Sequence, residues 1–211
     1  MSETVVAVEP VPSLARLTSI ALKVLLLLML ALMLLYPDAN NMRDKGAGAR
    51  AVVYPALAFL VPVVWWTSWR ERVAFPWVAD LMVTITCFTD ILGNRLNFYD
   101  SIVWFDDWMH FMNTGMLAAA FVLLTLPRDA GLPRILERSL ALGATGAIAW
   151  EIGEFFAFLS QHSEREFAYA DTLSDLGLGV LGAVVAAGLV RWLWRAGRLA
   201  NVEPLAPVAA D

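Results

Sequence analysis

The 211-residue chain has few charged residues and a single cysteine. Only 17% of its residues are charged and 59% are hydrophobic, whereas a soluble domain has about 25% charged residues. Cys87 lies in an apolar run, which excludes a disulfide framework and a metal site built from thiolates. The net charge is −5 and no basic stripe is present, so nucleic-acid binding is not expected. The mean hydropathy of +0.63 instead favours a membrane protein.

Recognisable catalytic signatures are also missing from the sequence. It contains no Ser-His arrangement, no glycine-rich phosphate loop and no established hydrolase motif. Lysine is scarce, because thirteen of the fifteen basic residues are arginine. This bias, with abundant alanine and leucine, is typical of a GC-rich bacterial genome, so we expect a multi-pass protein of the inner (plasma) membrane.

Six apolar runs of 19–24 residues follow one another along the chain. About 20 helical residues cross a hydrocarbon core of about 30 Å. The runs therefore predict an all-α domain of six transmembrane helices over residues 17–195, with a disordered cytoplasmic lead (1–16) and a flexible cytoplasmic tail (196–211). The predicted spans are residues 17–36, 51–69, 75–96, 104–126, 139–159 and 171–194.

Three features qualify this reading of the spans. The first run lacks the basic flank and the small-residue cleavage site of a signal peptide, so we expect it to remain as a span. Pro62 is expected to kink the second span. The third span is the most polar, and a re-entrant third segment would reduce the count to five.

The basic residues predict the orientation of the spans. With six spans, ten basic residues fall on the side of both termini and five on the other side. Basic residues accumulate on the cytoplasmic side of membrane proteins, so both termini are predicted to be cytoplasmic. The aromatic residues sort in the same way, with tyrosines at the outer ends and most tryptophans at the inner ends.

Four predicted spans carry polar residues near their outer ends, at helical spacings. The third span contributes Asp90 and Asn94, the fourth Asp106, Asp107 and His110, the fifth Glu151 and Glu154, and the sixth Asp171 and Asp175. Charged groups in a membrane are costly and usually have a partner or a function. The sequence therefore predicts an outward-facing pocket of carboxylates around one histidine.

The chemistry of this pocket favours a divalent cation. Carboxylates with one imidazole and no thiolate suit Mg²⁺, Mn²⁺ or Zn²⁺ better than copper. The expected ligands are Asp106, His110, Glu151 and Asp175, with Glu154 or Asp171 as a general base and Asp90, Asn94 and Asp107 as further pocket residues. In a simpler interpretation, Asp106, Asp107 and Asp171 are acidic residues at helix N-termini, favoured by the helix dipole, and His110 is a core histidine.

The ordered motifs resemble a known family. Asp106-x-x-x-His110-Phe111, Trp150-Glu151-x-x-Glu154 and Asp171-Thr172-x-x-Asp175 resemble the YjdF-type bacterial inner-membrane proteins over roughly residues 85–185. They are more distantly similar to VanZ-like proteins, whose pattern is Asp-Lys-x-x-His, Glu-x-x-Gln and Asp-x-x-x-Asn. Asp107, Glu154 and Asp175 depart from that pattern, and each adds negative charge. The resemblance thus implies a small helical membrane protein, and its departures argue against a glycopeptide-resistance function.

Three functions remain open at this point. The first is a divalent-metal-dependent enzyme that acts on a lipid headgroup or a lipid-linked substrate at the outer leaflet. The second is a small transporter coupled to protons or cations, in which the carboxylates relay charge. The third is a structural or accessory membrane protein whose polar cluster only fixes helix packing. The lipid bilayer is the one partner that all three share, and the oligomeric state stays open.

Overall fold

The structure, a computed structural model, describes residues 13–42, 45–157 and 168–199, and all regular elements in these ranges are helices. They are α1 (Ser13–Leu35), α2 (Ala47–Ala58), α3 (Leu60–Val64), α4 (Trp77–Arg95), α5 (Phe98–Ser101), α6 (Phe105–Thr125), α7 (Leu132–Ala157) and α8 (Ala168–Arg195). A 3₁₀ turn at Asp38–Asn40 precedes α2, and a π-helical turn at Trp65–Trp69 follows α3. Helix α1 begins inside the predicted lead, whose residues 1–12 lie outside the described residues, as do residues 200–211 of the predicted tail.

Three helices are long and apolar enough to cross a membrane, namely α1, α6 and α8. Helices α2 and α3 with the π turn would form a fourth span if this bent pair makes one crossing. Helices α4 and α7 lie where the third and fifth spans were predicted, but both are more polar. The all-helical prediction is therefore confirmed for the described residues, with three or four candidate spans.

The predicted kink in the second span is confirmed. The axes of α2 and α3 differ by 43°, and the helix breaks at Phe59, where φ is −98° and ψ is 2°. A proline has no N–H to bond with the carbonyl four residues earlier, and its ring clashes there. Pro62 therefore disrupts the turn at Ala58, and the bend lies just before the proline.

Helix α1 packs against α2 and α4 through one narrow stripe. Leu26, Leu30 and Met33 are fully or almost fully buried, at spacings of three or four residues that place them on one helix face. Leucines on the opposite face, such as Leu28 and Leu35, are more than half exposed. One buried face and one exposed apolar face are typical of a helix that contacts protein on one side and lipid on the other.

The stripe on α1 continues into a buried ion pair with α4. Lys23 Nζ lies 2.7 Å from Asp80 Oδ2 and also donates hydrogen bonds to Ser19 and Thr84. Ser19 Oγ donates to the same Asp80 oxygen at 2.5 Å. Lys23 is only 8% exposed, so counting it as a cation flanking the membrane was wrong. We call these four residues the Lys23 cluster.

Helices α6, α7 and α8 pack closely together because small residues meet at their contacts. A Cβ on Gly182 would collide with the backbone carbonyl of Phe111, and one on Gly115 would lie 3.0 Å from the carbonyl oxygen of Gly182. Gly143 faces Ala183 and Gly179 faces Thr114 across similar contacts.

Not every glycine on these helices has this role. Apart from the adjacent residues and the helix's own backbone, no atom of the described residues lies within 4 Å of the position that a Cβ would take on Gly146, Gly153 or Gly177. Gly115 on α6 does make a close contact, and no pattern in its neighbourhood had pointed to it. Helical spacing alone does not say which face of a helix meets a neighbour.

Candidate functional site

Three carboxylate side chains, one from each of three helices, converge on one imidazole. His110 Nε2 lies 3.5 Å from Asp106 Oδ1 and 3.8 Å from Asp175 Oδ2. On the other side of the ring, Nδ1 lies 3.6 Å from Glu151 Oε1. His110, Glu151 and Asp175 are all buried, and Asp106 lies at the edge. We call Asp106, His110, Glu151 and Asp175 the His110 cluster.

The helix geometry explains how these residues meet. Asp106 and His110 are one turn apart on α6, so that both point to the same side. Asp175 reaches the ring from α8, whose close approach to α6 depends on Gly115 and Gly182. Helix α7, which packs against both α6 and α8, supplies Glu151.

The separations in the His110 cluster are too long for hydrogen bonds, which rarely exceed about 3.2 Å. Two atoms in the cluster, Glu151 Oε1 and Asp175 Oδ1, are buried and have no hydrogen-bond partner among the described residues. Buried polar atoms nearly always have a partner, so such exceptions require an explanation. The cluster also gathers three carboxylates around one imidazole, an excess of negative charge in a buried place.

The spacing of the donor atoms fits a bound cation. One oxygen each from Asp106 and Asp175 and a nitrogen of His110 lie within 4.8 Å of one another, and His110, Glu151 and Glu154 form a second such group. Two donors that each lie about 2.1 Å from a tetrahedral metal ion are about 3.4 Å apart. The measured 3.5 and 3.8 Å around Nε2 approach that value.

Glu154 belongs to a neighbouring polar group as well. Arg50 on α2 lies 3.1 Å from Asp90 Oδ2 and 3.5 Å from Glu154 Oε1, and it donates a further hydrogen bond to the carbonyl of Lys45. The hydroxyl of Tyr99 donates to Asp90 Oδ1 at 2.8 Å. We call Arg50, Asp90, Tyr99 and Glu154 the Arg50 cluster, and it ties α2, α4, α5 and α7 together.

Three predicted pocket residues lie away from His110. Asn94 donates a hydrogen bond to the carbonyl of Asp90 in its own helix. Asp107 accepts a hydrogen bond from Ser174 at 3.0 Å, at the exposed rim between α6 and α8. Asp171 is exposed in the first turn of α8, so that it and Asp175 sit at different depths although they are one turn apart.

A cavity of about 550 Å³ opens beside the two clusters. Its polar end is lined by Asp90, Tyr99, Asp106, His110 and Glu154. The rest is lined mainly by apolar side chains of α2, α3, α4, α6 and α7, among them Leu57, Val61, Leu117, Phe121 and Leu124. Ligand pockets in proteins have this size and this combination of an apolar wall with a few convergent polar groups.

Residues 20–196 match the family described as "Predicted membrane protein (DUF2238)". The chain belongs to this family. A Thermotoga maritima protein described as an "Uncharacterized protein" is 26% identical over 127 residues, which cover 54% of this chain. The chain spans 66% of the length of that relative. No solved structure matches the chain significantly. The resemblance to YjdF-type and VanZ-like proteins stays a prediction.

Sequence reasoning about this DUF2238 protein missed Arg50, which it counted as a loop cation. The side chain is 8% exposed and pairs with two carboxylates. One feature of the sequence could have pointed to Arg50. It lies one helical turn before Tyr54, at the start of an apolar run, and a cation buried in such a run needs a partner. The predicted polar residues His162 and Arg165 lie outside the described residues.

Proposed function

We propose that this chain is a divalent-metal-dependent enzyme of the bacterial inner membrane that acts on the headgroup of a lipid or a lipid-linked substrate at the outer leaflet. The observation that carries the proposal is the spacing around His110, where three carboxylates surround one imidazole. Two buried oxygens of these carboxylates, Glu151 Oε1 and Asp175 Oδ1, have no hydrogen-bond partner among the described residues. A cation bound by Asp106, His110 and Asp175 would balance the excess negative charge. Mg²⁺, Mn²⁺ and Zn²⁺ suit this donor set.

The positions of the donors divide the roles within the His110 cluster. Asp106 and Asp175 face Nε2 and are assigned, with His110, as metal ligands. Glu151 faces Nδ1. A histidine that binds a metal ion through one ring nitrogen usually turns the other nitrogen toward a carboxylate, and this contact fixes the orientation of the ring. Glu151 is therefore assigned as a positioning residue, although the sequence alone suggested a ligand.

Glu154 is the assigned general base. It lines the cavity beside His110, whereas Asp171, the other sequence candidate, is exposed. In the proposed hydrolysis, Asp106, His110 and Asp175 would hold the metal ion, which would supply Lewis-acid polarisation. Glu154 would accept a proton from the attacking water and return that proton to the departing oxygen of the headgroup ester.

The proposal includes six spans with both termini in the cytoplasm. Helix α4 has 19 residues and α7 has 26. At 1.5 Å per residue α4 is about 28 Å long, close to the thickness of a core of about 30 Å, and α7 is about 39 Å long, which exceeds it. Lys23 and Arg50 are both buried, so neither counts for orientation. Discounting both leaves nine basic residues on the proposed cytoplasmic side and four on the other.

Single cysteines test this orientation in a Cys87→Ser background. Val103, which is 99% exposed in the loop before α6, is a better labelling site than Asn97, whose φ of 61° strains most other side chains. In intact cells, a membrane-impermeant maleimide should label Val103→Cys but not Asp129→Cys in the loop before α7. The reverse pattern would place His110 on the cytoplasmic side and overturn the outward-facing site.

Metal analysis of the purified protein in nanodiscs tests the site itself. After equilibration with Mg²⁺, Mn²⁺ or Zn²⁺ and desalting, we expect one divalent ion per wild-type chain. His110→Ala and Asp175→Asn should lose it. Asp107→Asn is the matched control, because it makes the same charge change next to the site but outside the donor group. A wild-type protein that retains no ion with any of the three metals would refute the proposal.

A cation- or proton-coupled transporter is the second candidate. The observation favouring it is the Lys23–Asp80 pair, an ionisable pair buried between α1 and α4 on the inner side of the proposed topology. Proteoliposomes under a pH gradient would reveal it: flux of a tested cation that Asp80→Asn abolishes would favour transport. No flux of any tested cation or small anion would count against it.

A further inference from the structure

The cavity is long enough to hold more than a headgroup. His110 lines its polar end and Leu124 its far end, both on α6. The two residues are 14 positions apart, which corresponds to about 21 Å of helix at 1.5 Å per residue. One leaflet of the hydrocarbon core is about 15 Å deep. The cavity therefore extends over at least the depth of a leaflet along α6.

In the part of the chain that the structure describes, one side of the cavity is open between α2–α3 and α7. Helix α2 packs against α1 and α4, whereas α7 packs against α6 and α8. The cavity wall includes exposed residues on both borders of this gap, Val53 and Leu60 on one and Gly146 and Ala149 on the other. Because these borders lie in proposed membrane spans, the medium at the opening is the hydrocarbon of the bilayer.

The polar end of the gap is closed by an aromatic pair. The rings of Tyr54 on α2 and Trp150 on α7 stack with centroids 6.0 Å apart. The hydroxyl of Tyr54 is buried and has no hydrogen-bond partner among the described residues, and the same holds for the side-chain oxygen of Asn113. Both residues line the cavity. A ligand with polar groups near its head would provide the missing partners.

From this arrangement we infer that the cavity binds one hydrocarbon chain of a membrane amphiphile, which enters between α2–α3 and α7 and holds its polar head at the His110 and Arg50 clusters. This inference rests on the proposed function and specifies its substrate as a lipid whose chain is bound by the protein. Tyr54 and Asn113 bind polar groups where head and chain join.

Gly146 allows the chain site to be blocked without touching the metal ligands. Beyond its own helix backbone and adjacent residues, no atom of the described chain lies within 4 Å of the Cβ that a substitution would add. Because the residue borders the cavity, Gly146→Leu places its side chain in the opening. Ala149→Leu tests the same border independently. Gly188→Leu is the matched control, because Gly188 on α8 is also exposed and uncrowded but does not line the cavity.

The probe is a phosphatidylglycerol that carries a diazirine on its palmitoyl chain, placed in nanodiscs with the purified protein. After irradiation, mass spectrometry should find label on peptides containing Val61 and Ala120, which are buried but line the cavity. Label on Leu28 of α1, which faces the lipid, serves as the internal reference. Gly146→Leu and Ala149→Leu should lose the label at Val61 and Ala120 and keep it at Leu28, whereas Gly188→Leu should keep both.

The inference is overturned if Val61 and Ala120 are unlabelled in the wild type, or if both blocking variants label them as strongly as the wild type does. Metal content, measured on the same samples, separates this result from the proposed function. Label lost in the blocking variants, in a protein that binds no metal, would leave the chain site standing and refute the enzyme. A bound metal without cavity label would refute the chain site alone.

Discussion

The His110 cluster and the Lys23 cluster are both buried polar groups between helices, but they differ in charge balance and in distance. In the Lys23 cluster one cation meets one anion at 2.7 Å, with Ser19 and Thr84 as further partners. In the His110 cluster three carboxylates surround one imidazole at 3.5–3.8 Å.

This difference indicates what each cluster does. A buried pair with balanced charge holds two helices together without a further cation, although one oxygen of this pair, Asp80 Oδ1, has no hydrogen-bond partner among the described residues. A buried group with excess negative charge and open distances is complete only with a further cation or proton. A charged group within the membrane therefore does not by itself identify a functional site, whereas a buried charge without a compensating charge of opposite sign does. The predictions below test this distinction.

The largest effect is expected when one partner of the Lys23 cluster is removed. Asp80→Ala leaves a buried ammonium without its anion, which costs about 3–5 kcal/mol in the free energy of unfolding. Replacing both partners, as Lys23→Met with Asp80→Leu, should recover most of that loss. Unfolding by SDS titration in mixed micelles measures both. A double variant as unstable as the single one would show that the pair contributes more than charge balance.

At the His110 cluster the corresponding change should have the opposite effect on stability. Asp175→Asn removes one of the mutually repelling charges, so the metal-free variant should be as stable as the metal-free wild type or more so. Its affinity for the metal should fall by more than roughly 100-fold, because a ligand is lost. Unfolding titrations in the presence of chelator measure the stability of the metal-free protein, and metal titrations without chelator measure the affinity. A strong destabilisation of the metal-free protein would make Asp175 a structural residue.

Glu151→Gln should have a smaller effect on the metal than Asp175→Asn. If Glu151 only orients the ring of His110, the affinity should fall by roughly 10- to 100-fold and binding should persist. A complete loss of metal would make Glu151 a ligand, as the sequence first suggested. Isothermal titration in nanodiscs, with Asp107→Asn as the control, distinguishes these outcomes.

The smallest effect is expected at Lys45 and Asp100, an exposed pair of the same residue types as Lys23 and Asp80. Partial burial alone would raise the pKa of Asp100, but hydrogen bonds from Lys45 and Asn41 and the Lys45 charge outweigh it and hold the pKa below its usual value. The stabilisation is thus present at neutral pH and disappears as the pH falls through that lowered pKa. Exposed pairs contribute about 0–1 kcal/mol.

Acid titration of Asp100→Asn beside the wild type measures this contribution. The wild type should lose a small amount of stability at low pH that the variant lacks throughout. Equal pH profiles for the two proteins would show that the exposed pair has no measurable effect. A loss as large as that of Asp80→Ala would contradict the view that burial makes the difference.

Part of the candidate site could be predicted from helical spacing. Asp106 and His110 are one turn apart, and the apolar runs place Glu151 and Asp175 near the same end of the bundle. The structure brings these four together, and their function stays a prediction. Asp171 shows the limit of prediction from helical spacing. It lies one helical turn from Asp175, but only Asp175 is buried.

The cationic partners could not be predicted in the same way. Lys23 and Arg50 looked like ordinary residues flanking a span, and only packing decided that each lies against a carboxylate distant in the chain. Long basic side chains reach several ångströms from their helix, so their partners depend on which helices are neighbours. The cavity has the same origin, since it lies between helices that are far apart in the sequence.

By itself the sequence determined that this is an all-helical membrane protein and that carboxylates and one histidine gather near one end of its helices. Hydrophobic run length and helical period are local properties, so the order of residues is enough to establish them. Only the tertiary structure decided which charges are matched, which glycines allow helices to approach and where the cavity opens. Those depend on the faces that distant helices present to one another, and close packing selects them.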